Sequence, residues 1–255
     1  MQNPLSFLVA GNGPPLVILH GLFGSAANWR RIAQALSGHW QVFTPNLPNH
    51  GNSPWVEDMS YPAQAQAVTQ FITEHALDHP VLMGHSMGGK TAMALALAGK
   101  IEPRALIIAD IAPVDYAHSH QSLVQSLQAL PLATLSNRQQ ADQALATDIP
   151  DRTLRQFLLQ NLVLRDGELR WRLNLKVIND QMELLTGFPP LPGSFNGPTL
   201  FIHGECSDYV TPAHTQAISV RFPRARLQSI ANAGHWLHAE QTDAFVSAIE
   251  HFLKG

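Results

Sequence analysis

Val81-Leu82-Met83-Gly84-His85-Ser86-Met87-Gly88-Gly89-Lys90-Thr91 is the stretch on which the reading of this chain turns. A short apolar run from Pro80 to Met83 ends in glycine, as a buried strand does when it enters a tight turn, and Met87 to Ala98 then reads as a helix. Between them, Gly84-His85-Ser86-Met87-Gly88 matches G-x-S-x-G, the turn that exposes a nucleophilic serine while its glycines let neighbouring backbone come close. The same residues fit a rival pattern. Gly84 to Thr91 also satisfies G-x-x-x-x-G-K-[ST], the P-loop, in which backbone amides and a lysine hold phosphates. Asp110, after Ala105 to Ala109, could then pass for a magnesium-binding strand end. A serine hydrolase and a nucleotide-binding protein therefore compete for one turn.

Outward from this turn the chain keeps one rhythm. Pro15 to Leu19 precedes His20 and Gly21, Ala105 to Ala109 precedes Asp110, Thr199 to Ile202 precedes His203 and Gly204, and Ala225 to Ile230 leads to Ala233, Gly234 and His235. Short runs of this kind, ended by turn residues, read as parallel strands of a covered sheet. Such strands need crossover helices, and Ser25–Leu36, Tyr61–Ala76, Met87–Ala98, Pro212–Arg221 and Glu240–Leu253 sit where they are needed. The expected fold class is α/β, a mostly parallel sheet with helices on both faces. From about Val114 to Pro190 the alternation stops. Helix-like segments (Ser119–Leu130, Arg138–Ala146, Asp151–Leu162, Asn174–Leu184) occur there without a strong strand candidate, so residues 114–190 are expected to form an inserted helical cap on a core of 1–113 and 191–255.

Composition narrows the field. The 255 residues are 45% apolar and only 14% charged, against a usual charged share of about 25%, which excludes disorder. A net charge of -3 from 16 basic and 19 acidic residues offers no basic face for nucleic acid or an anionic membrane. Cys206 is the single cysteine, no apolar run approaches the roughly 20 residues of a membrane span, and the amino terminus lacks a signal-peptide pattern. A cytoplasmic protein without a membrane segment is expected, of undetermined oligomeric state.

Two features fit the hydrolase and leave the P-loop without an account of them. His20-Gly21-Leu22-Phe23-Gly24 follows an early strand, where a second oxyanion donor is required. Met87 would supply the first backbone N–H and Leu22 the second, with Phe23 as the alternative. His235, in Ala233-Gly234-His235-Trp236, stands late in the chain between a strand and a helix, as the general base of a serine nucleophile must in the order Ser, acid, His. His238 is the second candidate.

With HGLFGS (His20 to Ser25), NHGNSP (Asn49 to Pro54), GHSMGG (Gly84 to Gly89), DIAPVDY (Asp110 to Tyr116), WRLN (Trp171 to Asn174) and AGHW in this order, the chain resembles the α/β-hydrolase superfamily along essentially its whole length, and within it the YbfF-type bacterial esterase branch. The resemblance implies hydrolysis of a small-molecule ester or thioester through an acyl-enzyme on Ser86, with no metal and no organic cofactor, and it makes the P-loop match a coincidence of glycines and Lys90. It implies two places for the acid. Most α/β-hydrolases carry it after the seventh strand in G-x-x-D, where this chain has Gly204-Glu205-Cys206-Ser207-Asp208, one residue out of step. The YbfF-like branch carries it after the sixth strand, where Asp110 stands. Asp110 is therefore expected to be the acid, Ser207 a helper that hydrogen-bonds His235, and Asp208 the fallback.

The chain departs from D-x-R-x-H-G-x-S, showing Asn46-Leu47-Pro48-Asn49-His50-Gly51-Asn52-Ser53, which bears on loop geometry. Cys206 reads as a small filler residue, and His118 with His120 lacks the further ligands of a metal site. Leu123, Phe157 and Trp171 are the cap residues expected to line a substrate pocket. Leu127 and Leu158 share their helices, where core packing is the competing use. Seven Arg or Lys against eight Asp or Glu across 114–190 give coenzyme A no general attraction, though Arg165, Arg170 and Arg172 could form a local phosphate site. A non-hydrolytic lyase of the SHCHC synthase type is the alternative enzyme on this fold, and a noncatalytic receptor the alternative outside enzymes.

Overall fold

The computed structural model describes residues 4–254; Met1 to Asn3 and Gly255, which the expected core includes, lie outside them. Seven strands form one sheet: β1 (Phe7–Ala10), β2 (Pro15–Leu19), β3 (Gln41–Pro45), β4 (Val81–His85), β5 (Ala105–Ala109), β8 (Thr199–Gly204) and β9 (Ala225–Ile230), in the order β1-β3-β2-β4-β5-β8-β9. All neighbours run parallel except β1 against β3. This is the α/β-hydrolase fold. β1 and β3 escaped the sequence reading: β1 is a four-residue run, half exposed at the sheet edge, and Gln41 and Thr44 interrupt the apolar run of β3. The strand before the insertion, numbered sixth through the resemblance, is fifth in chain order.

The register places the chemistry. Gly84 pairs with Leu19 and His85 with Ala109, so the carboxyl ends of β2, β4 and β5 finish level with one another. Alternate side chains feed two apolar layers: Val17, Leu82 and Ile108 on one face, Ile18, Met83 and Ile107 on the other. Helices α2 (Tyr61–Glu74) and α3 (Met87–Ala98) cover the first layer; α1 (Arg30–Leu36) and a closing helix, numbered last below, cover the second.

Between β5 and β8 run α4 (Gln121–Ala129), α5 (Arg138–Leu145), α6 (Arg152–Leu159), the hairpin β6 (Leu162–Arg165) and β7 (Glu168–Trp171), then α7 (Leu175–Asp180) and α8 (Met182–Thr186). The hairpin corrects the all-helical expectation. Its signal was present: Asp166 and Gly167 join the strands at φ 53° and 82°, the two positive angles of a type I′ turn, and Asp-Gly is a preferred pair for it. After β8 come α9 (Thr215–Arg221), β9, α10 (Leu237–Glu240) and α11 (Thr242–Lys254). Helix α11 closes the second layer with Phe245, Ala248, Ile249 and Phe252, spaced on one helical face. Each large apolar side chain buried in this way contributes about 1.5 to 3 kcal/mol. Among the described residues, no helix is long and apolar enough to cross a membrane.

Candidate active site

Only Ser86 separates β4 from α3, at φ 51° and ψ −118°, a conformation a side-chain-bearing residue rarely adopts. Its backbone is held on both sides, the N–H donating to Ala109 O at 3.1 Å and the carbonyl accepting from Lys90 N at 3.0 Å. The turn is so tight that a Cβ on Gly84 would lie 2.2 Å from Gly88 O, and one on Gly88 would lie 2.3 Å from Leu19 O. Glycine at both positions is a steric requirement. The P-loop reading fails here, since a one-residue turn forms no phosphate cradle. Lys90 Nζ instead turns to the end of the insertion, donating to Thr186 O and Gly187 O at 2.7 Å each.

Asp110 follows β5 at φ 51° and is fully buried. Three donors converge on its carboxylate: Gly204 N on Oδ1 at 3.1 Å, and His235 Nδ1, at 2.7 Å, with the Ser207 hydroxyl on Oδ2. Asp208 is exposed and is not a partner of His235. Ser207 was expected to bond the histidine; it bonds the carboxylate instead. The Tyr209 ring stacks on His235 at 3.9 Å and 19°, and His85 Nε2 donates to the His235 carbonyl at 2.8 Å, so Asp110 and Tyr209 hold the imidazole while His85 holds its backbone. His238, the second candidate base, lies flat on Trp29 at 4.3 Å and is lowered to a pKa of about 3 by burial.

The donor loop is set by two further histidines. His20 Nε2 accepts Leu47 N–H at 2.9 Å, which leaves the proton on Nδ1 to donate to Gly21 O at 2.8 Å. His50 Nε2 accepts Phe23 N–H at 3.2 Å, and its Nδ1 donates to Pro48 O at 2.9 Å. Phe23 is thereby removed as an oxyanion donor. Leu22 N–H and Met87 N–H have no acceptor among the described residues. The loop that lacks the family's aspartate and arginine is tied down by amides: Asn46 Oδ1 accepts Ala26 N–H at 2.8 Å, and Asn49 O accepts Asn174 N–H at 3.1 Å.

Ser86, His235 and Leu22 open on one cavity of about 270 Å³ whose walls are largely apolar. Leu123 and Phe157 line it as expected; Leu127 and Leu158, on the same helices, face the core. Trp171 does not line it, because pairing with Leu162 in the hairpin turns it aside. Leu154, Trp236 and Tyr209 were missed. Leu154 stands three residues before Phe157 on α6, a spacing that could have found it; nothing local marks Tyr209. Cys206 is exposed, not a core filler. Of the three arginines considered for a phosphate site, Arg170 pairs with Glu168 at 2.9 Å, Arg165 lies 4.0 Å from Asp166, and Arg172 donates to Gln160 O. Among the described residues no three His, Cys, Asp or Glu side chains cluster as metal ligands would.

Residues 16–248 match the model of the alpha/beta hydrolase family, and the chain belongs to that family. Esterase YbfF of Escherichia coli is 37% identical over 243 residues, covering 95% of this chain and 94% of its own. The sn-1-specific diacylglycerol lipase ABHD11 of Xenopus laevis is 39% identical over 253 residues, covering 95% and 80%. Among solved structures, a marine microorganism esterase superposes with a TM-score of 0.95 at 37% identity, covering 98% of this chain and 99% of its own.

Proposed function

We propose that the protein hydrolyses carboxylic esters of small molecules through an acyl-enzyme on Ser86, with His235 as base and Asp110 as the acid that orients it. The protein is a serine esterase of the hydrolase class, in line with its esterase and lipase relatives. The observation that carries the residue roles is the buried Asp110 carboxylate 2.7 Å from His235 Nδ1, with His235 and Ser86 lining one cavity. Asp110 holds the proton on Nδ1, leaving Nε2 free to take the Ser86 proton as Oγ attacks the acyl carbon. The Leu22 and Met87 amides receive the oxyanion, a pair in which one donor is worth about 3 to 4 kcal/mol in the transition state. The imidazolium then protonates the leaving alcohol as its C–O bond breaks, and water activated by the same histidine releases the acid.

Residues 114–190 act as the lid on this core, since Leu123, Leu154 and Phe157 all come from that segment. A thioester could follow the same route. The 270 Å³ cavity is too small to enclose coenzyme A, whose bulk would stay outside.

The test is a panel of p-nitrophenyl esters and acyl-coenzyme A thioesters of graded length. Ser86→Ala is expected to lower turnover by at least about 10⁴-fold, Asp110→Asn by about as much, and Asp208→Asn hardly at all. Loss confined to Asp208→Asn would move the acid; an absence of turnover across the panel would refute the esterase reading.

A further inference from the structure

Two cavities meet at Ser86. The larger, about 270 Å³, contains His235. The smaller, about 30 Å³, reaches Ser86 from the α3 side; Met87, Ile111, Met182 and Leu185 line it, and His235 does not. Tyr61, Tyr116 and Thr186 line both it and a surface pocket of about 330 Å³, and Lys90 Nζ holds this boundary by donating to Thr186 O while lying 4.8 Å from the Tyr116 ring centre.

We infer that the small cavity is the acyl subsite and the large one the alcohol subsite, so that the preferred substrates are acetate-sized esters of larger alcohols. This rests on the serine esterase reading above and adds to it the direction in which an ester binds. Directions around the attacked acyl carbon decide which cavity holds which part of the ester. In the tetrahedral intermediate that carbon carries Ser86 Oγ, the oxyanion, the acyl substituent and the leaving oxygen. The oxyanion goes to the Leu22 and Met87 amides. The leaving oxygen must come within hydrogen-bond reach of His235 Nε2, which gives up its proton as the C–O bond breaks. That oxygen, and the alcohol chain behind it, therefore occupy the cavity that contains His235.

The acyl substituent takes the remaining direction, into the cavity that lacks the histidine. At about 30 Å³ against about 270 Å³, the small cavity has about a ninth of the room of the large one, which suits a short acyl substituent and not a long chain. Once the alcohol has left, the large cavity is free to admit the water that His235 must deprotonate, while the acetyl group stays in the small one. Hydrolysis of the acyl-enzyme then breaks the Ser86 ester bond and returns the proton to Oγ through the same imidazole.

The experiment compares hexyl acetate with methyl heptanoate, isomers that differ only in where the ester lies along the chain. The wild-type protein is expected to favour hexyl acetate by at least about tenfold in kcat/KM, a modest demand for several misplaced methylenes. A ratio near one, or one favouring methyl heptanoate, overturns the subsite assignment while leaving the esterase reading intact. Failure to turn over either isomer or p-nitrophenyl acetate overturns both. Met182→Ala and Leu185→Ala, which enlarge the small cavity, are expected to shift the ratio toward methyl heptanoate. An unchanged ratio in folded variants counts against the assignment, and the wild-type comparison stands without them.

Discussion

Ser86 holds its strained backbone because Ala109 O and Lys90 N engage both of its peptide groups, so the cost is carried by the surrounding strand and helix. Glycine adopts positive φ without a Cβ penalty. Ser86→Gly should therefore abolish ester turnover and at the same time raise stability by about 1 kcal/mol, read as a higher urea midpoint with an unchanged slope. A midpoint that falls would mean that the serine side chain stabilises the turn. Ser86 and His235 were legible at this scale because each sits in a short motif whose spacing is local. Asp110 was not legible in that way. Its role depends on β5, β8 and β9 ending side by side, which brings Asp110, Ser207 and His235 together across 125 residues of chain, and only the resemblance favoured it over Asp208.

Helix α3 links the nucleophile to the insertion. Lys90, the residue that produced the false P-loop match, is almost wholly buried, and desolvation lowers its pKa to about 7. No carboxylate pairs directly with it; two carbonyls at the carboxyl end of α8 and the Tyr116 ring receive it. Lys90→Met keeps the length of the side chain but strips Thr186 O and Gly187 O of their donor. An orphaned buried acceptor costs about 1 to 3 kcal/mol, so the variant should lose stability on that scale, with faster amide exchange around 186–188. Undiminished stability would show that burying the ammonium offsets its hydrogen bonds. Elements with a continuous apolar run or a full amphipathic face were readable in advance, α3 to the residue. The edge strand β1 and the hairpin β6–β7 were not, since each is half exposed and gains its place by pairing.

Histidine burial gives the whole molecule a defined response to acid. His20 and His50 are lowered to pKa values of about 3 and 4, mainly by burial, with His50 adding to the effect on His20; His85 is lowered well below its usual value by burial and by its neighbours His235 and His238. Each is neutral in the folded chain and has an ordinary pKa near 6.5 when unfolded. Between those values the unfolded state binds more protons, so stability is fully present above pH 6.5 and is lost as the pH falls toward 4. For His20 and His50 the loss between pH 6.5 and 4 amounts to about 3 kcal/mol each. Urea midpoints should therefore drop steeply from pH 6.5 to 4 and change little from pH 7 to 8; a flat acid limb would contradict the neutral, buried assignment. Since His20 and His50 position the donor loop, ester turnover should fail over the same acid range.

The amino-acid order by itself determined the hydrolase class and the sheet core and marked Ser86 and His235 as the proposed nucleophile and base, because strand runs, tight glycine turns and the Ser to His order are written in local spacing. Three things were decided only in three dimensions: which acid meets His235, which of Leu22 and Phe23 keeps a free N–H, and what the many histidines do. Each depends on groups far apart in sequence meeting at the ends of adjacent strands. There a single hydrogen bond, such as His50 to Phe23 N, removes one candidate and leaves the other.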